Sequence, residues 1–191
     1  MIPIYEQGGG KSIGYMTETF ARRFQELCHE HLQKGRARAF AFIFYNFYDE
    51  DFGRLLNDQG VFAQLDRLAG RELSVFYLHS GVEKTVERFN THFLARLGLG
   101  ETVMLPSIVF FKVEDDQIKD VRAMRLESAD LIHGFHELYG VIQDYISNSL
   151  GTSQRESKYR QWIKTSAKFV GVEAFKALIT AFLKGELNMP Q

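Results

Sequence analysis

Residues 103–126 read VMLPSIVFFKVEDDQIKDVRAMRL, and this stretch decides the fold. Ile108, Val109, Phe110, Phe111 and Val113 form an apolar run too short for a helix and rich in β-formers. Glu114, Asp115 and Asp116 supply a tight acidic turn. From 117 to 126 the polarity alternates imperfectly, with Ile118, Val121, Ala123 and Leu126 on the apolar side. Pro106 has no N–H to give to a ladder, so Leu105-Pro106-Ser107 belongs at a strand start or an edge. The stretch is therefore an antiparallel hairpin started by a proline.

Upstream, residues 37–47 (ARAFAFIFYNF) are apolar almost throughout, which suits a central strand covered on both faces. Tyr48-Asp49-Glu50-Asp51 follows, then a helix predicted over 51–69. Phe52, Leu55, Leu56, Val61, Phe62, Leu65 and Leu68 make its inner face, with a break expected at Gly60. Asp49 is the expected N-cap. The acidic cluster suits the positive helix end, where each charge contributes about 0.3–1 kcal/mol. Residues 72–79 (ELSVFYLH) make a second apolar strand. A helix over 82–97 carries Val82, Val86, Phe89, Phe93 and Leu97 as its apolar stripe. A helix over 17–33, closed by Gly35, precedes the first strand. Its Phe20, Phe24 and Leu27 recur at helical spacing, and Cys28 lies on or near that face. Downstream of the hairpin, Ser128 is placed to cap a helix over 129–147.

Three segments follow from this reading: a flexible arm at 1–16, an α/β domain at 17–150, and an amphipathic helical extension at 151–191. In the arm, Gly8-Gly9-Gly10-Lys11-Ser12 lacks the earlier glycine of a phosphate loop, because Tyr5 occupies that position. The extension is read as two helices, over 154–169 and 172–183. It carries 7 basic residues (Arg155, Lys158, Arg160, Lys164, Lys168, Lys176, Lys184) against 3 acidic ones (Glu156, Glu173, Glu186), a net +4. An amphipathic helix with a solvated basic face explains that balance.

Composition narrows the function classes. Of the 191 residues, 45% are hydrophobic and 25% charged, ordinary values for a globular chain. The net charge of -1 offers no overall field for nucleic acid or an anionic membrane. No stretch approaches the ~20 apolar residues of a membrane span. The N-terminal residues lack the pattern of a secretory signal, so a cytoplasmic protein is expected. Cys28 is the one cysteine, so no disulfide can close within this chain and a multi-cysteine zinc site is excluded. His133 and His136 share a helix face, but the sequence supplies no evident third metal ligand.

The order helix, strand, helix, strand, helix, hairpin, helix resembles the thioredoxin fold from about residue 17 to 147. The residues that carry the resemblance are the strand at 40–47, the helix after it, and Leu105-Pro106-Ser107 ahead of the hairpin. The expected class is thus α/β, a mixed sheet of parallel strands plus an antiparallel hairpin, flanked by helices. The resemblance implies that Pro106 is cis and faces the segment 48–51. The redox chemistry of that family needs a thiol at that helix start, where the helix end depresses its pKa. Here the positions read Asn46-Phe47-Tyr48-Asp49-Glu50-Asp51-Phe52, with no cysteine. Dithiol oxidoreductase activity is excluded by composition.

Two functions fit such a chain. The first is a non-catalytic interaction module, an adaptor, assembly chaperone or complex subunit. It would bind a protein partner through Tyr48, Asp49, Glu50, Pro106 and Ser107, with the added C-terminal helices as a further partner or homodimer surface and no cofactor, nucleic acid or membrane involved. The second is a glutathione- or small-thiol-binding enzyme. The thioredoxin-like domains of glutathione transferases carry a cis-proline followed by Ser or Thr, which would put Ser107 in the pocket. The short extension after residue 150 departs from that family's helical domain.

Overall fold

The computed structural model describes residues 15–34, 39–70, 72–127, 131–150, 162–164 and 171–183. β1 (Tyr15–Met16) runs straight into α1 (Thr17–Lys34), and β2 (Ala39–Phe44) follows. α2 (Glu50–Asn57) and α3 (Gln59–Ala69) lead to β3 (Leu73–His79) and α4 (Glu83–Arg96). The hairpin is β4 (Ser107–Glu114) and β5 (Gln117–Arg125). α5 (Leu131–Tyr145) closes in a π-helical turn, and β6 (Ile163–Lys164) and α6 (Val172–Leu183) complete the chain.

These elements form an α/β structure with a mixed sheet and six helices among the described residues. The strand order is β1-β3-β2-β4-β5-β6. β2 and β3 are parallel and joined by the α2–α3 crossover, while β4, β5 and β6 add antiparallel. The two-residue β1 extends the β3 edge, also in parallel.

The hairpin turn puts Asp115 and Asp116 at φ 51° and 60° between the paired Glu114 and Gln117. Two left-handed central residues match the twist of the flanking strands, and aspartate tolerates that region better than most side chains. The imperfect alternation of β5 has a local cause. A step of two along β4, from Phe110 to Lys112, faces a step of three along β5, from Arg122 back to Lys119. The extra residue is a bulge next to Asp120, whose φ is 51°. Apolar spacing therefore steps by three from Ile118 to Val121 and then returns to two at Ala123. Asp120 is held there by Arg122 at 2.8 Å and Lys112 at 3.5 Å.

Both sheet faces are covered. On one, Phe40, Phe42 and Phe44 of β2 pack with Phe76, Val109 and Phe111 under α1, α4 and α6. On the other, Ala41, Ile43, Val75, Tyr77, Ile108 and Phe110 pack under α2, α3 and α5. The alternation Phe-in-one-layer, Ala-or-Ile-in-the-other explains why β2 reads as a continuous apolar run.

The fold corrects several expectations. The break between α2 and α3 falls at Asp58, not Gly60. Asp58 takes extended backbone, and its carboxylate accepts from Val61 N at 2.9 Å, starting the second helix. Ile163 and Lys164, expected within a helix over 154–169, instead pair with Ala123 and Arg122 as β6. Tyr15 and Met16, assigned to the arm, pair with Leu78 and His79. Val82 stands just ahead of α4 and faces solvent instead of joining its apolar stripe. Residues 1–14, Gly35, Ser128 and most of 151–170 lie outside the described residues.

The extension docks on its own chain. Phe175 of α6 is fully buried, with ring centroids 5.5 Å from Phe93 and 5.8 Å from both Phe24 and Phe111. Gln25 of α1 also donates to Thr180 of α6 at 2.9 Å. α6 therefore shares the core of the main sheet.

Candidate functional site at one end of the sheet

The parallel strands β2 and β3 end on the same side of the sheet. β4 starts there, since Phe44 pairs with Ser107, and β5 ends there, since Ser107 pairs with Arg125. Immediately before Ser107, the partner of Phe44 at the end of β2, the Leu105–Pro106 bond is cis. Pro106 thus lies beside the chain leaving β2. Its carbonyl accepts from Leu126 N at 2.8 Å.

Several bonds fix the turn after β2. Tyr45 donates its hydroxyl to the Leu78 carbonyl at 3.1 Å, tying the ends of β2 and β3. Asn90 of α4 donates Nδ2 to the Tyr45 carbonyl at 2.9 Å. Asp49 N donates to the Asn46 carbonyl at 3.0 Å, and Asp49 Oδ1 accepts from Phe52 N at 3.0 Å. Asp49 therefore caps α2, as its position predicts.

Of the residues expected to bind a partner, three reach the surface and two do not. Tyr48 is 72% exposed. It donates to Glu83 Oε2 at 2.7 Å, and that bond to a carboxylate, together with the carboxylate's charge, holds the phenol above its ordinary pKa. Glu50 is exposed and pairs with Arg54 at 3.3 Å. Asp49 is half-buried and engaged as the cap. Pro106 is buried, and Ser107 has 0% exposure with its Oγ lacking a hydrogen-bond partner among the described residues. Ser107 opens β4 between β2 and β5, flanked by a strand on each side, and is fully buried there, so it is not presented to a partner.

The sequence reading missed the rest of this end. A groove of about 430 Å³ runs between the turn after β2 and α4, walled by Phe47, Tyr48 and Asp49 on one side and Glu83, Glu87 and Asn90 on the other. The same end of the sheet carries exposed apolar side chains. Among the described residues the large hydrophobics left exposed are Tyr48, Val82 (57%), Met104 (61%) and Ile132 (66%). Tyr48 follows β2, Val82 follows β3, and Met104 precedes β4. Ile132 lies in the first turn of α5, the helix after β5, and Glu127 N donates to Glu137 there at 2.6 Å. All four belong to connections or a helix start at one end of the sheet. The available signal was topological: parallel strands with an antiparallel hairpin bring the segments near 48, 82, 104 and 130 to one side.

Cys28 is remote from this end in α1 and buried, and burial pushes its thiol up to about 12, with Lys176 opposing and Glu173 adding. His133 and His136 are exposed, and no group of three or more potential ligands among the described residues is arranged to hold a metal ion. No described helix is long and apolar enough to cross a membrane. Comparison with family models and with curated proteins finds no match, so the site is read from its own geometry.

Proposed function

We propose that this protein is a thioredoxin-like, cytoplasmic interaction module without redox chemistry. It docks a protein partner on the end of the sheet that carries Tyr48, Val82 and Met104, with Asp49 and Glu50 at the rim. The observation that carries this reading is the gathering of every exposed large hydrophobic among the described residues at that one end. A soluble monomer scatters such residues, whereas a set rimmed by polar groups marks a docking surface. The strand order, the parallel crossover and the cis bond at Pro106 support the thioredoxin-like assignment. In this reading Pro106 and Ser107 shape the end from beneath instead of touching the partner.

The small-thiol enzyme has one observation in its favour, the unpartnered Ser107 hydroxyl directly after the cis-proline. The burial of that hydroxyl counts against it. The test is capture from native lysate with wild type and with Tyr48→Ser/Met104→Ser, alongside calorimetric titration with glutathione. The module reading expects a stoichiometric partner, or a self-associated dimer, that the double variant loses, and no heat from glutathione. Saturable glutathione binding with no partner would overturn it.

A further inference from the structure

We propose that Met104 is an oxidation site, where a peroxide converts the exposed thioether to the sulfoxide and so releases the docked partner. This rests on the docking reading above and assigns a regulation to that end of the sheet.

Three sulfurs lie among the described side chains, in Cys28, Met104 and Met124, and their surroundings differ. Cys28 is buried in the same core cluster as Phe20, Phe24 and Leu27. Burial keeps it a thiol until about pH 12, whereas the thiolate is the form that attacks a peroxide. Met124 is 4% exposed and belongs to the core under α2, α3 and α5. Met104 is 61% exposed. A thioether has no proton to lose, so its lone pair is reactive at any physiological pH and access sets its rate.

The chain on either side fixes that access. Val103 is buried in the core and Leu105 packs against the same cluster, so the residue between them is turned outward. Ahead of them, Thr102 N and Oγ1 both donate to the Leu99 carbonyl, at 2.9 and 2.7 Å. Behind them, Leu126 N donates to the Pro106 carbonyl at 2.8 Å. Met104 thus stands out from a segment tied at both ends.

In the reaction the sulfur lone pair attacks one peroxide oxygen. The S–O bond forms as the O–O bond breaks, and the departing hydroxide takes up a proton and leaves as water. The sulfur gives up an electron pair and the peroxide is reduced by it. An apolar side chain of the set that includes Tyr48, Val82 and Ile132 becomes a polar one. Its acceptor oxygen would have to shed water against the apolar surface of a partner, which costs binding energy.

The experiment treats the full chain with hydrogen peroxide, follows each methionine by peptide mass spectrometry, and repeats the capture from native lysate. The proposal expects Met104 to gain its oxygen at least about ten-fold faster than Met124, and the oxidised protein to hold its partner about ten-fold less tightly. The unfolding midpoint of the oxidised protein should match that of the untreated one. Met104→Leu, apolar and without sulfur, should keep the partner through the same treatment. Equal oxidation of Met104 and Met124, undiminished capture after complete Met104 oxidation, a loss that Met104→Leu shares, or a lowered unfolding midpoint would overturn it. The two readings fail separately. If Tyr48→Ser/Met104→Ser loses a partner that oxidised wild type retains, the docking end stands and the oxidation site falls. If the double variant retains the partner, or untreated wild type captures none, the docking end itself falls and this inference with it.

Discussion

Cys28 shows what one residue's surroundings decide. In sequence it is a lone thiol on the apolar side of a helix, and that placement was legible from the spacing of Phe20, Phe24 and Leu27. The structure buries it with those residues and pushes its pKa from 9.0 to about 12. Between those values the unfolded chain releases a proton that the folded chain keeps. The stability involved is fully present below pH 9 and is lost as pH rises towards 12, by up to about 4 kcal/mol. Urea unfolding across that range should therefore fall off less steeply for Cys28→Ala than for wild type; parallel curves would show that the thiol is not desolvated. Tyr145, also raised by burial, contributes equally to both proteins and cancels in the comparison. Asp49 was legible as a cap because capping is local. Glu83, Glu87 and Asn90 were not, because nothing local in α4 announces that it borders the turn after β2.

At the scale of elements, the helix-start carboxylates separate the crossover into two helices. Asp49 bonds Phe52 N and Asp58 bonds Val61 N. Replacing either by alanine removes a cap and should cost about 0.5–2 kcal/mol, measured by denaturant unfolding. A loss under a few tenths at both sites would mean that packing alone sets these helix starts. The expected break at Gly60 was misplaced by two residues, since glycine flexibility is weaker punctuation than a side chain that bonds the backbone. The hairpin was legible from its turn and its apolar run. The bulge beside Asp120 was visible only as a fault in the alternation, because a register shift belongs to the pairing of two strands and not to either alone.

For the whole molecule, the main lesson concerns the chain after residue 150. The sequence over 172–183 has Val172, Phe175, Leu178, Ile179 and Phe182 at helical spacing, but a stripe does not name what covers it. The structure covers it with α1, α4 and the sheet of the same chain. Phe175→Ala should accordingly destabilise the entire domain by about 3–5 kcal/mol, seen as one cooperative shift of its unfolding transition. A change below about 1 kcal/mol would show that α6 is a loosely held appendage. With α6 consumed in cis, its inner face is not free for a partner, and the proposed docking surface is the end of the sheet near Tyr48. The measurement that tests this most directly is amide hydrogen exchange on the captured complex against the free protein. The account predicts added protection at residues 46–50, 82–87 and 103–106, where Tyr48, Val82 and Met104 stand. Protection confined to the outer faces of α1 and α6, around His29 and Lys176, with the Tyr48 end unchanged, would contradict it.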